Sequence, residues 1–349
     1  MSMLNCLTIS GFQPATSQDA TIRRNPLLMD LISRHRSTLS TPEPSVLQDI
    51  EEDEAALYDR PIAVDRPIRQ KLPFVFSSPH SGRVYPASFI KGSNLDAATL
   101  RRSEDCFVEE IFSGVVQLGS PLIRTHFPRA YLDVNREPYE LDPAMFADPL
   151  PPHVNTRSLR VAGGLGTIAR VVADATEIYR EPLAYAEAER RIRLLYMPFH
   201  DALRDLLDET HQAYGCALLI DCHSMPSVAG PSEDDISTDR PDIVLGDRYG
   251  TACAVEITQK AERILRDLGY STIRNNPYAG GFNTEHYGQP NKGFHALQIE
   301  INRGLYMNEA SLQRGPGLKK LRDDMSTFTT ELAKLDIAGL SNHAPGMAF

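Results

Sequence analysis

The sequence predicts an α/β domain, and three observations carry that expectation. Beyond about residue 70, short apolar runs alternate with patterns of helical period, as when strands and helices are taken in turn. The run Cys216-Ala217-Leu218-Leu219-Ile220 is apolar without interruption, which fits a strand covered on both faces by helices. Polar and ionisable residues stand directly after strand candidates: His80, Asn135-Arg136 and His223, with Glu300 near the end of another. In open α/β sheets ligands collect beyond the carboxyl ends of strands, so these side chains are expected to meet at one sheet edge.

Four strand candidates follow in order. Leu72 to Ser77 leads into Ser78-Pro79-His80-Ser81-Gly82, and Ala130 to Val134 leads into Asn135-Arg136. Cys216 to Ile220 leads into Asp221-Cys222-His223-Ser224, and Phe294 to Ile301 contains Leu297-Gln298-Ile299-Glu300. A short helix is expected to open at Ser103 as N-cap and to bury Phe107, Val108, Ile111 and Phe112. Ile192, Leu195, Phe199, Leu203 and Leu206 recur on one face of a long helix over roughly 182 to 213, which Pro198 should kink or split. Val255 to Leu268, ended by Gly269, and Leu318 to Leu335 read as two more helices.

Residues 1 to 69 contain a Ser/Thr/Pro stretch, Ser37 to Ser45, and the acidic run Asp49 to Glu54. They read as a flexible or peripheral arm with a short helix around Pro26 to Ser33. A single domain over 70 to 340 and a tail over 341 to 349 complete the expected organisation.

The chain has 349 residues, with 36 Lys+Arg against 46 Asp+Glu and a net charge of −10. An acidic surface repels phosphate backbones and anionic lipids, so neither a nucleic acid nor a membrane surface is an expected partner. The five cysteines are scattered without a CxxC pair, which signals neither a disulfide framework nor a cysteine-rich zinc knuckle. No apolar stretch approaches the ~20 residues of a membrane span. A cytoplasmic protein is expected. Gly164-x-Gly166-x-x-Ala169 matches a dinucleotide fingerprint, but no convincing strand precedes it. A GxxxxGK[ST] phosphate loop, a GxSxG elbow and an HExxH helix do not occur.

Two histidines and one carboxylate make a zinc site that keeps a coordination position open for water. His80 and His223 are the best imidazole candidates, and either Glu104 or Asp105 can supply the carboxylate. Helix phase does not choose between the two, and their ordinary role would be an acidic first turn facing a helix dipole. Glu300 lies in the apolar run Leu297 to Ile301. A carboxylate there is costly to bury unless it is paired, with Arg303 for instance, or serves as a general base. Of Arg129 and Arg136, one can hold a substrate carboxylate and the other a developing oxyanion, surface ion pairs being the ordinary alternative. Asn276 to Phe282 is a turn-rich loop able to close over a ligand or simply to connect strands.

Five motifs together resemble the N-formylglutamate amidohydrolases, from roughly residue 72 to 335. They are Ser78-Pro79-His80-Ser81-Gly82, Asp133-Val134-Asn135-Arg136, Asp221-Cys222-His223-Ser224-Met225-Pro226, Pro277-Tyr278-Ala279-Gly280-Gly281 and Gln298-Ile299-Glu300-Ile301-Asn302-Arg303. The resemblance implies a three-layer helix/sheet/helix fold with a mixed, mostly parallel sheet, like zinc carboxypeptidases and aspartoacylases. It implies hydrolysis of N-formyl-L-glutamate to formate and L-glutamate, late in histidine breakdown, with one zinc or other divalent ion and a small anionic N-acyl amino-acid substrate. It implies His80, Asp105 and His223 as metal ligands, Asp105 standing three residues before Val108 as the family favours. Asn135 and Arg136 would grip the substrate, Arg129 would face the scissile carbonyl, and Glu300 would be the base. The chain departs from the His-x-x-Glu metal pair of aspartoacylases, because Arg83 stands three residues after His80. A deacylase for a different N-acyl amino acid and a non-catalytic ligand-binding relative are the alternatives.

Overall fold

Strand β4 (Ala217–Met225) is buried at all nine residues, and its neighbours explain why. In the computed structural model, which describes residues 54–172, 176–228 and 240–340, β4 lies at the centre of a seven-stranded sheet. The other strands are β1 (Ile62–Asp65), β2 (Phe74–Ser78), β3 (Leu122–Thr125), β5 (Ile243–Gly246), β6 (Thr272–Arg274) and β7 (Phe294–Asn302), in the order β1-β3-β2-β4-β7-β5-β6. β3, β2, β4 and β7 run parallel, while β1 pairs antiparallel with β3 and β5 antiparallel with β7. The sheet is therefore mixed and mostly parallel, as expected.

Alternate residues of each strand enter opposite cores, because successive side chains point to opposite faces. Val75, Leu219 and Ala296 pack in one core with Leu195, Phe199, Leu203 and Leu206. Phe74, Phe76, Leu218, Ile220 and Leu297 pack in the other with Val108, Ile257, Ala261, Leu321, Met325 and Phe328. The helices concerned are α1 (Val108–Ile111), α2 (Tyr185–Arg191), α3 (Met197–Tyr214), α4 (Val255–Asp267), α5 (Phe282–Tyr287) and α6 (Leu318–Leu332). Helix, sheet and helix form three layers. Among the described residues no helix is long and apolar enough to cross a membrane.

The long helix expected over 182 to 213 is interrupted by a π-helical turn at Ile192–Tyr196 between α2 and α3. Pro198, in the first turn of α3, has no N–H to give to the residue four before it, and the bonding ladder changes pitch just ahead of it.

Two expected elements differ. Ala130 to Val134 is buried but forms no strand: the Tyr131 and Leu132 amides donate to Pro128 O at 2.9 and 3.2 Å, which curls the segment into a turn. The strand beside β2 is β3, immediately upstream. Ser103 caps no helix; its hydroxyl donates to Leu100 O, and α1 begins only after Phe107, which takes a left-handed φ of +65°. Glu104 and Asp105 thus sit in a loop ahead of the helix. The expected domain start at residue 70 also falls inside the fold, because β1 pairs with β3 across Ile62↔Thr125 and Leu57 is buried in the core. The expected helix at 26 to 33, residues 1 to 53 and the tail at 341 to 349 lie outside the described residues.

Candidate active site

Strand periodicity sets the site. His223 and Asp221 are two apart on β4, and Glu300 and Gln298 are two apart on β7, so each pair shares a face. The parallel register places His223 beside Glu300 and Asp221 beside Gln298, so all four side chains lie on the face that also carries Leu219. His80 arrives two residues past the end of β2, and Asp105 is tied to it through its backbone, the Asp105 amide donating to His80 O at 3.0 Å.

The two histidines converge. Their ring centroids are 4.7 Å apart, and Nδ1 of His80 and of His223 lie 3.3 and 3.0 Å from the same oxygen, Asp105 Oδ2. Ligand atoms of His80, Asp105 and His223 all lie within 4.8 Å of one another, and all three residues are buried. The opposite nitrogens are held by further carboxylates: His80 Nε2 is 2.7 Å from Asp133 Oδ1, and His223 Nε2 is 2.9 Å from Asp221 Oδ2. Metal-ligating histidines commonly give their second nitrogen to a carboxylate, which fixes tautomer and ring direction.

Whether this donor set suits a divalent ion can be read from the atoms themselves. His80 Nδ1 is buried and makes no hydrogen bond, and such orphaned groups are rare and costly. Two imidazole nitrogens and a carboxylate oxygen this close together are a three-ligand set of the kind zinc takes, with a position left over. The residues fit. Asp105 Oδ1, on the far side, receives Arg303 at 3.0 Å and Ser224 Oγ at 3.2 Å. Arg303 is therefore bound to Asp105 rather than paired with Glu300. Glu104 points elsewhere, accepting from Tyr85 OH at 2.7 Å and Arg101 Nε at 3.1 Å. Of the two adjacent carboxylates, the structure brings Asp105 to the histidines.

Electrostatics follow from these contacts. Burial works to raise the Asp105 carboxyl, but the hydrogen bond with His223 and the charge of both histidines outweigh it and hold it well below the usual carboxylate range. Asp133 is likewise held well below that range; there burial is overcome by His80, Arg129 and Arg136. Burial would depress the His223 imidazole, yet the charge of Asp221 and the bonds to Asp105 and Asp221 raise it well above its ordinary value. Burial lifts Glu300 to about 7 against the pull of His223. Gln298 bridges this carboxylate to the loop after β6, donating to Glu300 Oε1 at 2.9 Å and accepting from the Gly281 amide at 2.8 Å.

Beside the cluster is a cavity of about 360 Å³ lined by His80, His223, Glu300, Gln298 and four arginines, Arg129, Arg136, Arg160 and Arg248. A larger cavity of about 630 Å³ lies against α2 and contains no histidine. Arg129 donates to Asp133 Oδ2 at 2.8 Å. Arg136 donates to Leu165 O at 2.9 Å and Asn135 O at 3.0 Å, with Asp133 3.8 Å away. Asn135 Nδ2 is 3.2 Å from His223 Nε2, and Asn135 Oδ1 accepts from the Asn283 amide at 2.8 Å. The loop over 276 to 282 forms one wall. A Cβ on Gly281 would lie 2.4 Å from Asn135 Nδ2, so only glycine allows the loop this close. All seven residues expected at the site, His80, Asp105, Arg129, Asn135, Arg136, His223 and Glu300, are thus within or against one cavity. Reading the sequence did not assign Asp133, Asp221, Gln298, Arg160 or Arg248 to it. Asp221 and Gln298 carry a usable signal, being polar residues two before a site residue in a buried strand.

A mostly parallel α/β sheet with a charged, histidine-bearing cavity at its carboxyl edge defines an enzyme of the α/β type. Residues 72–307 match the sequence model of the N-formylglutamate amidohydrolases, and the chain belongs to this family of hydrolases acting on an amide. It is 28% identical over 246 residues to N-formylglutamate deformylase of Pseudomonas aeruginosa, covering 69% of this chain and 84% of the relative. The similar protein of Pseudomonas putida is 25% identical over 242 residues, covering 68% and 83%. The crystal structure of N-formylglutamate amidohydrolase from Ralstonia eutropha superposes with a TM-score of 0.72 at 35% identity, covering 78% of this chain and 97% of that one.

Proposed function

We propose that this chain hydrolyses N-formyl-L-glutamate to formate and L-glutamate in a metal-dependent reaction, with His80, Asp105 and His223 holding one divalent ion, zinc by donor type. The convergence of both Nδ1 atoms on Asp105 Oδ2 carries the reading. The relatives' names supply the substrate.

When bound, such an ion acts as a Lewis acid and lowers the pKa of water to about 7. The residues of the chain do the rest. Glu300, lifted by burial to about 7, is suited to take a proton from water and return it to the leaving nitrogen, since transfer works best with a pKa near the working pH. Gln298 holds that carboxylate in place. Arg129, steadied by Asp133, stabilises the negative charge that develops on the formyl oxygen. Arg136, backed by Asn135, holds a substrate carboxylate through its planar fork.

His223→Ala is expected to abolish formate release from N-formyl-L-glutamate while the chain still unfolds cooperatively in urea. A variant with full activity would reject the assignment. Turnover of N-acetyl- and N-succinyl-L-glutamate, both expected well below that of the formyl compound, checks the acyl group.

A further inference from the structure

Of the four arginines lining the cavity, three have partners. Arg129 is bound to Asp133, Arg136 to the Leu165 and Asn135 carbonyls, and Arg248 to Glu285 at 2.7 Å. Arg160 lines the same cavity half-buried, and among the described residues its guanidinium has neither a hydrogen bond nor an ion pair. Its backbone is fixed all the same. It lies in the short helix Leu159–Ala162, whose cap Ser158 accepts from the Val161 amide at 3.0 Å, and its carbonyl accepts from the Leu165 amide at 2.8 Å.

We propose that Arg160 is a specificity-determining residue that binds the second carboxylate of a dianionic N-acyl amino acid. This rests on the hydrolytic reading above. Arg136 and Arg160 are close enough to repel, and an incoming carboxylate relieves that repulsion while satisfying an unpaired fork with charge-assisted bonds. Burial, helped first by the charge of Arg129 and then by that of Arg160, already lowers Arg136 to about 10 against the pull of Asp133. The one carboxylate among the residues lining the cavity, Glu300, is lifted to about 7 by burial and is only partly ionised at neutral pH, while the neighbouring Asp133 is already taken by Arg129. A monoanionic substrate would need one arginine. The second cation makes sense for a substrate with two carboxylates.

The test uses the full chain and two variants, Arg160→Gln and Arg160→Lys. One readout is the ratio of kcat/KM for N-formyl-L-glutamate over N-formyl-L-glutamine, whose side chain is neutral. The other is the calorimetric preference for L-glutamate over L-glutamine. Arg160→Gln is expected to lower both ratios by about 10-fold or more, the kinetic loss falling on KM, and Arg160→Lys to keep more of each. Ratios unchanged in Arg160→Gln, or equal in the two variants, would overturn the proposal. Formate release by the unaltered chain separates the two readings. If it releases none, the hydrolytic reading fails, and the calorimetric ratio still decides for or against Arg160.

Discussion

An imidazole has two nitrogens, and at this site both rings divide them in the same way: Nδ1 toward Asp105, Nε2 toward a second carboxylate. In the proposed metal site an ion takes the place of the Nδ1 proton, and a neutral ring whose Nε2–H is donated presents its Nδ1 lone pair, so Asp133 and Asp221 would favour the ligating tautomer. Asp133→Asn and Asp221→Asn are each expected to weaken zinc binding by roughly 10- to 100-fold, measured by competition with a chelator. Affinity unchanged in both would remove the carboxylates from the account. Asp221-x-His223 and Gln298-x-Glu300 were open to reading, because alternate residues of a strand share a face. That the two pairs are neighbours depends on the register of β4 against β7, which links segments some 80 residues apart in sequence. Helix phase could not separate Asp105 from Glu104, and only the family resemblance favoured Asp105. Their fates are decided by Arg303, which reaches Asp105 from the far end of the sequence, and by Tyr85 and Arg101, which hold Glu104.

Elements were legible in proportion to their burial and length. β4 and β7, nine residues each, and helices α3, α4 and α6 show clear patterns. β1, β3, β5 and β6 have three or four residues, too few for a period to stand out. Ala130 to Val134 was misread because burial of an apolar run does not distinguish a strand from a buried turn. Helix α1 also behaves unlike a surface helix: Glu109 in its first turn has a buried carboxylate oxygen with no hydrogen-bond partner, and burial raises its carboxyl to about 7. A carboxyl raised in the folded chain favours folding when protonated, so its cost is absent below about 4.5 and complete above about 7. Glu109→Gln is therefore expected to be more stable than the unaltered chain at pH 8, with the advantage vanishing towards pH 4.5. Urea unfolding at both pH values checks this; an advantage that does not change with pH would contradict it.

At the scale of the whole molecule, a chain of net charge −10 concentrates four arginines around one cavity, and a cleft of one sign focuses its field on ligands of the other. An acidic surface that argues against nucleic acid is therefore compatible with an anionic small-molecule substrate. The fold takes in residues from at least Glu54, since β1 extends the sheet; the sequence hid this because β1 follows a long stretch without periodicity. The central claim is that hydrolysis depends on an ion held by His80, Asp105 and His223. Metal content of the purified chain, measured alongside formate release from N-formyl-L-glutamate before and after chelation, tests it most directly. The account predicts about one zinc per chain, loss of formate release when the ion is removed, and recovery when zinc is returned. Undiminished release by the metal-free chain would contradict it.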